Sequence, residues 1–294
     1  MSKKVLVFGG CGFLGSYLVE RLCMKKYEVT VADLNLSKYI NKDIFVECNI
    51  LDKIKVAELV KNADIVYNFA GMANLDKAVE DPCGTIELNV IGNLNILDAC
   101  MQSGVERFVY ASSAYSMSDK GSFYGISKLT SEKLIEEYNA KYDLKYTIIR
   151  YGSVYSERIS ENNYIYNLLK NAIISGKIKH FGDGEEIREY IHASDVAQLS
   201  VEIIESNQFE NEHIILTGME RMKRKELFEM INDILGNKLE IELNDNGYEH
   251  HYKTTPYSFT PRISKKLIPN PYIDIGQGIL ETIKSIYERE VGDK

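Results

Sequence analysis

The chain has 294 residues, of which 45% are hydrophobic and 27% charged, a balance typical of a globular protein with room for a full α/β core. Its formal net charge of −8 argues against nucleic acid and anionic membranes as partners, because both are bound through basic surfaces. Five cysteines without a CxxC pair predict reduced thiols, with neither a disulfide nor a metal site. No apolar run approaches the roughly 20 residues that span a bilayer, and no signal peptide is expected, so the predicted location is cytoplasmic.

The first predicted strand, residues 5–8, runs into a glycine-rich turn. Gly9, Gly12 and Gly15 follow, and apolar residues within 13–22 recur at helical spacing. Taken in order, the glycines permit a tight turn, close approach of the backbone to a pyrophosphate, and close packing of helix on strand. The N–H groups at the start of such a helix bind phosphate. Glycine turns after strands are common, so this pattern alone leaves a plain turn open.

An acidic residue after the second predicted strand strengthens the nucleotide-site interpretation. That strand covers residues 28–32, and Asp33 follows it, 21 residues beyond Gly12. A carboxylate there accepts hydrogen bonds from the adenosine ribose and repels a 2′-phosphate. Asp33 alone fits a turn beside Asn35 equally well. In this order, however, the elements predict a dinucleotide site that prefers NAD to NADP.

Alternating strands and helices continue to about residue 151. Strands are predicted at 44–46, 64–69, 107–111 and 146–150, and helices at 54–61, after Pro82, and at 123–141. The alternation predicts an α/β fold, a Rossmann-type doubly wound parallel sheet with helices on both faces.

The alternation loosens in the second half of the chain. Helices are predicted near 164–175, 195–205, 225–235 and 276–290, and short strands near 178–181, 187–192, 214–216 and 239–243. We therefore expect an NAD-binding domain over 1–155 and a smaller, mostly α substrate-binding lobe over 156–294. The lobe is expected to be discontinuous, with the chain re-entering the first domain at about 187–206.

Tyr124 and Lys128 lie four residues apart near the start of a predicted helix, which places them on one face. The lysine charge favours the phenolate, so Tyr124 is a candidate base for a sugar or alcohol hydroxyl. Ser113, at the end of the fifth strand, is placed to hydrogen-bond the same oxygen. In a chain with 20 tyrosines the spacing also arises by chance between surface residues. Its position after the fifth strand favours the catalytic interpretation.

Six short segments together resemble one enzyme family. They are GGCGFLG at 9–15, NVIG at 89–92, FVYASS at 108–113, YGISK at 124–128, RYGSVY at 150–155, and GDG at 182–184 followed by IREYIH at 187–192. In combination they resemble the extended short-chain dehydrogenase/reductases, in particular the NAD-dependent nucleotide-sugar epimerase/dehydratase group.

The resemblance implies roles for particular residues. The implied catalytic residues are Ser113, Tyr124 and Lys128. The implied NAD contacts are Gly9, Gly12, Phe13, Leu14, Gly15, Asp33, Asn49, Ile50, Ala70, Asn89, Tyr124 and Lys128. The implied contacts to a nucleotide-diphosphate sugar are Ser113, Ser153 and Arg188. It also implies a homodimer through a four-helix contact made by the helices around 89–101 and 123–141.

Arg188 has two interpretations. Its guanidinium suits the diphosphate of a nucleotide sugar, but it also lies among Glu185, Glu186 and Glu189, which are alternative partners.

The sequence departs from the family pattern at several positions. Asn49 replaces an aspartate near the adenine, Ser153 an asparagine and Ser156 a glycine, and the segment 114–117 lacks the usual valine-tyrosine-glycine. The change at Asn49 affects cofactor affinity at most, whereas the others concern the substrate pocket; the redox residues are intact.

The absence of an acidic pair after Ser113 guides the choice of reaction. A 4,6-dehydratase of this family carries one there for proton transfer, whereas this chain has Ala114 and Tyr115. The sequence therefore predicts a C4 epimerase that works through a transient 4-keto sugar, with the hydride held on bound NAD. A nucleotide-sugar dehydrogenase or reductase with net redox uses the same residues and is the alternative. An inactive NAD-binding sensor or scaffold is a further one, although such proteins typically lack the tyrosine or the lysine.

Overall fold

The computed structural model describes residues 2–160, 163–244, 253, 265–267 and 273–290. The strands are β1 (Lys4–Phe8), β2 (Glu28–Asp33), β3 (Phe45–Glu47), β4 (Ile65–Asn68), β5 (Arg107–Ser113), β6 (Tyr146–Tyr151), β7 (Ser153–Tyr155), β8 (Lys177–Phe181), β9 (Ile187–Arg188), β10 (Tyr190–His192), β11 (Glu212–Leu216), β12 (Met222–Lys223), β13 (Glu240–Asn244) and β14 (Lys265–Leu267).

The helices alternate with these strands through the first half of the chain. They are α1 (Phe13–Met24), α2 (Lys53–Val60), α3 (Leu75–Glu80), α4 (Pro82–Ile86), α5 (Gly92–Ser103), α6 (Ser122–Tyr142), α7 (Tyr164–Ser175), α8 (Ala193–Ile204), α9 (Arg224–Ile234) and α10 (Ile275–Glu290).

Eight strands form one parallel sheet in the order β14-β11-β6-β5-β4-β1-β2-β3. On one face α1 and α8 pack together, and Leu18 and Val201 enter the core there. On the other face Val60, Leu97 and Ile135 from α2, α5 and α6 form a second buried layer. Helices on both faces of a parallel sheet confirm the predicted Rossmann-type doubly wound fold.

The sheet extends further than the alternation predicts. Strand β11, predicted as a short strand of the second half, pairs with β6 through registers such as Ile214 against Ile149. Ile214 and Leu216 are fully buried in the core of the α1 face. Strand β14 was not predicted, because Lys-Lys-Leu carries no strand pattern of its own. The division at 155/156 itself stays a prediction.

The helix predicted after Pro82 contains a wide turn. Helix α4 passes into a π-helical segment, Glu87–Ile91, before α5 begins. Such insertions are rare in α-helices and often occur at functional sites. Asn89 lies in this segment.

The remaining elements form a separate core in which α7, α9 and α10 meet through Leu169, Phe228 and Ile283. Small two-stranded pairings, β7 with β10, β9 with β12 and β8 with β13, accompany them. In the described part of the chain, no helix has the length and apolarity needed to cross a membrane. All five cysteines are free thiols.

Candidate active site

The glycine turn between β1 and α1 forms a tight backbone cradle. Gly9 has φ +74°, and a Cβ there would lie 2.4 Å from the backbone N of Ala70. At Gly15 a Cβ would lie 2.3 Å from the carbonyl oxygen of Gly9, whereas at Gly12 the same oxygen is 3.2 Å away and is the sole neighbour within 4 Å. Helix α1 begins at Phe13 without a side-chain cap, which leaves its first-turn N–H groups for a ligand. Gly9 and Gly15 are thus required by packing, while the missing side chain of Gly12 keeps space for an anion.

Asp33 closes the cradle from β2. Its carboxylate accepts hydrogen bonds from the backbone N–H groups of Cys11, at 2.9 Å, and Leu34, at 2.7 Å. Burial raises the pKa of Asp33, although these backbone hydrogen bonds oppose the rise. Asp33, which is predicted to bind the adenosine ribose, therefore also holds the glycine turn against β2.

Asn89 holds the loop after β4. Its side-chain oxygen accepts from the N–H of Met72 at 2.6 Å, and its amide donates to the Met72 carbonyl and to Ser127 Oγ at 3.0 and 2.9 Å. A Cβ on Gly71 would lie 2.5 Å from the Asn89 oxygen. The amide thus ties the loop after β4 to α6, and its contact with NAD stays a prediction.

Asn49 and Ile50 make local contacts. The Asn49 side chain accepts from the N–H of Leu51 at 3.0 Å. Ile50 is buried, and a Cβ on Gly92 would lie 2.5 Å from its Cδ1. Their contact with adenine stays a prediction.

Ser113 and Tyr124 line one cleft of about 410 Å³, Ser113 from the end of β5 and Tyr124 from the first turn of α6. Lys128 lies one turn further along α6. Its Nζ donates to the carbonyl of Ala111 at 2.8 Å and lies 4.8 Å from the ring centre of Tyr110 and 5.8 Å from that of Tyr124. Burial lowers the pKa of Lys128 to about 8. A phenol beside a nearly buried ammonium is suited to move a proton.

One part of the cleft, called here its cationic end, is formed by two arginines. Arg188 and Arg224 both line it and are 3% and 7% exposed. Arg188 donates to the carbonyl of Ile187 at 2.9 Å, and the Arg224 guanidinium stacks on the ring of Tyr164 at 3.8 Å. Ser153, which comes after the catalytic candidates and before these arginines in the sequence, lines the same cleft. The cleft thus carries two guanidiniums that suit phosphate oxygens.

Two acids near Arg188 already have partners. Glu185 pairs with Lys223, at 2.7 Å, and with Lys225. Glu186 lies 3.1 Å from His180 Nε2. These pairings account for Glu185 and Glu186, and the phosphate contact of Arg188 stays a prediction.

The structure gathers most of the predicted site residues into this one cleft. The predicted residues that line it are Gly9, Gly12, Phe13, Leu14, Gly15, Ser113, Tyr124, Ser153 and Arg188. The other predicted residues are not among the described residues that line it; they are Asp33, Asn49, Ile50, Ala70, Asn89 and Lys128.

Arg224 was missed by the sequence analysis, as were the aromatic residues Phe69, Tyr151, Tyr164 and Tyr190 of the cleft wall. One signal for Arg224 was available. It occupies the first position of α9, where a cation is disfavoured by the helix dipole, so its presence there called for another explanation.

A backbone cradle for phosphates, an acid after β2, and a serine, tyrosine and lysine grouped at the ends of β5 and α6 define a Rossmann-fold, dinucleotide-dependent enzyme of the short-chain dehydrogenase type. The chain belongs to the NAD dependent epimerase/dehydratase family, whose family model matches residues 5–218. This confirms the family predicted from the sequence, its NAD dependence and the enzyme assignment.

The individual relatives have low sequence identity to this chain but align with it over most of its length. A UDP-glucose 4-epimerase of Rhizobium meliloti is 27% identical over 69% of this chain and 73% of its own length. A UDP-N-acetyl-α-D-glucosaminuronate decarboxylase of Bacillus cytotoxicus is 27% identical over 99% of both chains. The solved UDP-glucose 4-epimerase of Thermus thermophilus in complex with NAD is 25% identical, with a TM-score of 0.80 over 97% of this chain and 99% of that one.

Proposed function

We propose that the protein is an NAD-dependent nucleotide-sugar 4-epimerase. The observation that carries this choice is the composition of the cleft. Ser113 and Tyr124 line it, and among the described residues that line it there is no aspartate or glutamate. Oxidation of a sugar hydroxyl and its reversal need the serine, tyrosine and lysine, whereas elimination of water needs a further acid and base.

The cradle fits a dinucleotide. The open space at Gly12 and the uncapped first turn of α1 would hold the pyrophosphate, and Asp33 would accept from the adenosine ribose. Lys128 would lie beside the nicotinamide ribose. When bound, NAD supplies reversible hydride acceptance at the sugar carbon.

The protein residues move the proton. Tyr124 takes the proton of the sugar 4-hydroxyl and returns it when the ketone is reduced from its other face. Ser113 donates a hydrogen bond to the same oxygen and holds it near the phenol. Lys128, 5.8 Å from the Tyr124 ring centre, stabilises the phenolate through its charge while it is protonated.

The diphosphate of the substrate lies at the cationic end in this proposal. Arg188 and Arg224 provide charge-assisted hydrogen bonds there. The aromatic residues Tyr151, Tyr164 and Tyr190 line the same cleft and offer ring surface to the sugar. The relatives named for UDP-sugars support this substrate class.

The test uses nucleotide sugars deuterated at C4, incubated with the enzyme without added cofactor. We expect a C4-inverted product that keeps its deuterium, with no lasting absorbance of reduced cofactor. Reduced cofactor that accumulates in proportion to added NAD, with a ketone or acid as product, would make the protein a dehydrogenase. Deuterium found at C6 would make it a dehydratase.

The same proposal includes a homodimer formed by the helices around 89–101 and 123–141. Exposed apolar side chains on them support it, since Ile91 and Ile126 are 46% and 56% exposed. Sedimentation of the Ile126→Glu variant is expected to show monomers, while Ile174→Glu, on a helix remote from this surface and 61% exposed, should leave the dimer intact. A wild-type monomer at micromolar concentration contradicts the dimer.

A further inference from the structure

A buried carboxylate lies directly beneath the catalytic residues. Glu132, on α6, is 1% exposed. Its Oε1 accepts hydrogen bonds from Ser112 Oγ at 2.5 Å and from Ser116 Oγ at 2.7 Å. These two serines bracket Ser113, one at the end of β5 and the other in the turn that follows it. One carboxylate oxygen therefore binds both sides of the segment that carries Ser113.

The charge of Glu132 is matched by Arg150 from β6, which is 2% exposed. Arg150 donates from Nε to Oε1 at 3.0 Å and from Nη2 to Oε2 at 2.7 Å. Burial alone would raise the pKa of Glu132, but the hydrogen bonds and charge of Arg150 outweigh it and the pKa is lowered. Glu132 therefore stays ionised inside the core.

Stability alone does not account for such a pair. Two charges buried together contribute little more than apolar residues of the same volume, because their desolvation offsets their attraction. A fixed arrangement of hydrogen bonds, by contrast, is what a catalytic side chain needs from the residues behind it. The pair of Glu132 and Arg150 is therefore better explained by the geometry that it imposes on neighbouring residues.

The contacts of the turn supply that explanation. Ser116 Oγ also lies 2.9 Å from the carbonyl oxygen of Ser113, and Ser113 Oγ accepts from the N–H of Tyr115 at 3.3 Å. One turn before Glu132, Lys128 donates to the carbonyl of Ala111 on the same strand. Helix α6 is thus hydrogen-bonded to the end of β5 at two successive turns, through Lys128 and through Glu132.

We propose that Glu132 is a positioning residue, which acts through Ser112 and Ser116 to hold Ser113 in register with Tyr124 and Lys128. The proposal rests on the proposed catalytic role of Ser113. Because Glu132 follows Lys128 by four residues, one helix face presents the base, the ammonium and the carboxylate that fixes the facing strand.

The test compares the double variant Ser112→Ala/Ser116→Ala with Thr282→Val. Thr282 is also buried, but its hydroxyl bonds within α10 to the Gly278 carbonyl, away from the cleft. We expect the double variant to lose about tenfold in kcat, less than the about hundredfold of a 1 Å misplacement, with the substrate KM and the NAD Kd unchanged. Thr282→Val should keep its kcat.

The variant Glu132→Asp probes the carboxylate directly. It keeps the charge opposite Arg150 but withdraws the oxygens by one methylene, and we expect the same selective fall in kcat. If this variant does not fold, the serine variants still decide the matter.

A double-mutant cycle separates positioning from general loosening of the core. In a Ser113→Ala background, the serine pair should add no further loss in kcat, because the residue they position has lost its hydroxyl. An undiminished additional loss, or a wild-type kcat for the double variant in the native background, overturns the proposal.

Hydrogen–deuterium exchange of residues 111–117 provides a readout that needs no substrate. We expect faster exchange in the serine double variant and unchanged exchange in Thr282→Val; equal exchange in both overturns the proposal. If wild-type protein turns over no nucleotide sugar, the proposed function fails by itself, and the exchange result still stands.

Discussion

The glycine cradle and the cationic end of the cleft offer different groups to an anion. In the cradle the Gly9–Gly15 turn offers backbone N–H groups and the space left by a missing side chain at Gly12. At the cationic end Arg188 and Arg224 offer side-chain charge. The first site is built within seven consecutive residues, whereas the second exists because β9 pairs with β12.

This difference has an electrostatic consequence. A backbone cradle carries no net charge, so it costs little to bury and does not depend on a counterion. Two guanidiniums at 3% and 7% exposure are costly to desolvate, and an anionic ligand repays part of that cost. We therefore expect ligand binding to stabilise the cationic end more than the cradle.

The largest expected effect concerns Tyr124, which lines the same cleft. Tyr124→Phe should lower kcat by about 10²–10⁴, because a proton-transfer group is lost, while the Kd values for NAD and for a nucleoside diphosphate stay near wild type. Both constants and kcat are measured on one preparation. Turnover within a few-fold of wild type would mean that Tyr124 is not the base.

The cationic end gives the next largest effect. Arg188→Met should weaken binding of a nucleoside diphosphate by roughly tenfold to a hundredfold, since charge-assisted hydrogen bonds contribute about 1.5–3 kcal/mol. Calorimetric titration should find NAD binding unchanged. Arg107→Met, a control at a buried arginine paired with Glu210 at 2.7 Å, should change neither constant. Unaltered diphosphate binding in Arg188→Met would assign this arginine to its protein neighbours.

At the cradle end we expect a substitution to weaken the binding of NAD. Gly12→Ala should fold, because its Cβ would meet a single atom at 3.2 Å, but should weaken NAD binding by about tenfold through loss of a close phosphate contact. Gly15→Ala serves as the contrast, since its Cβ would lie 2.3 Å from backbone and should lower the melting temperature. An unchanged NAD Kd in Gly12→Ala would place the pyrophosphate elsewhere.

The smallest effect is a pH dependence of kcat. Burial lowers the pKa of Lys128 to about 8, so raising the pH through that value removes the positive charge near Tyr124. At pH 8 about half of the ammonium is lost, and kcat should fall about twofold from its plateau, then further at higher pH. The variant Lys128→Met should lack this alkaline limb. A wild-type plateau extending past about pH 10 would show that the lysine charge does not contribute.

The cradle was predictable from the sequence because its backbone geometry requires a particular residue type at positions within one short segment. Only glycine tolerates the contacts at Gly9 and Gly15, so the residue type itself records the geometry. The parallel sheet was predictable for a related reason, since buried strands and amphipathic helices alternate with distinct periods.

Other features depend on contacts between distant segments. Arg224 reaches the cleft through pairing of β12 with β9, and Glu132 meets Arg150 from a neighbouring strand. A charged residue in a helix looks the same in a sequence whether it faces solvent or a buried partner. One signal for Glu132 was available in the sequence. Glu132 follows Lys128 by four residues, which places both on the helix face that packs against β5.

The order of strands in the sheet has a consequence for synthesis of the chain. Strand β6 pairs with β5 on one side and with β11 on the other, and β11 begins at Glu212, about 60 residues after β6 ends at Tyr151. At roughly 5–20 residues per second, translation takes about 3–12 s to supply that partner. Until then a nascent chain carries β6, with its two isoleucines and two tyrosines, as an open edge, which is the kind of surface that recruits other strands. The growing polypeptide is therefore expected to need a chaperone most in this interval, when β6 has been synthesised and β11 has not.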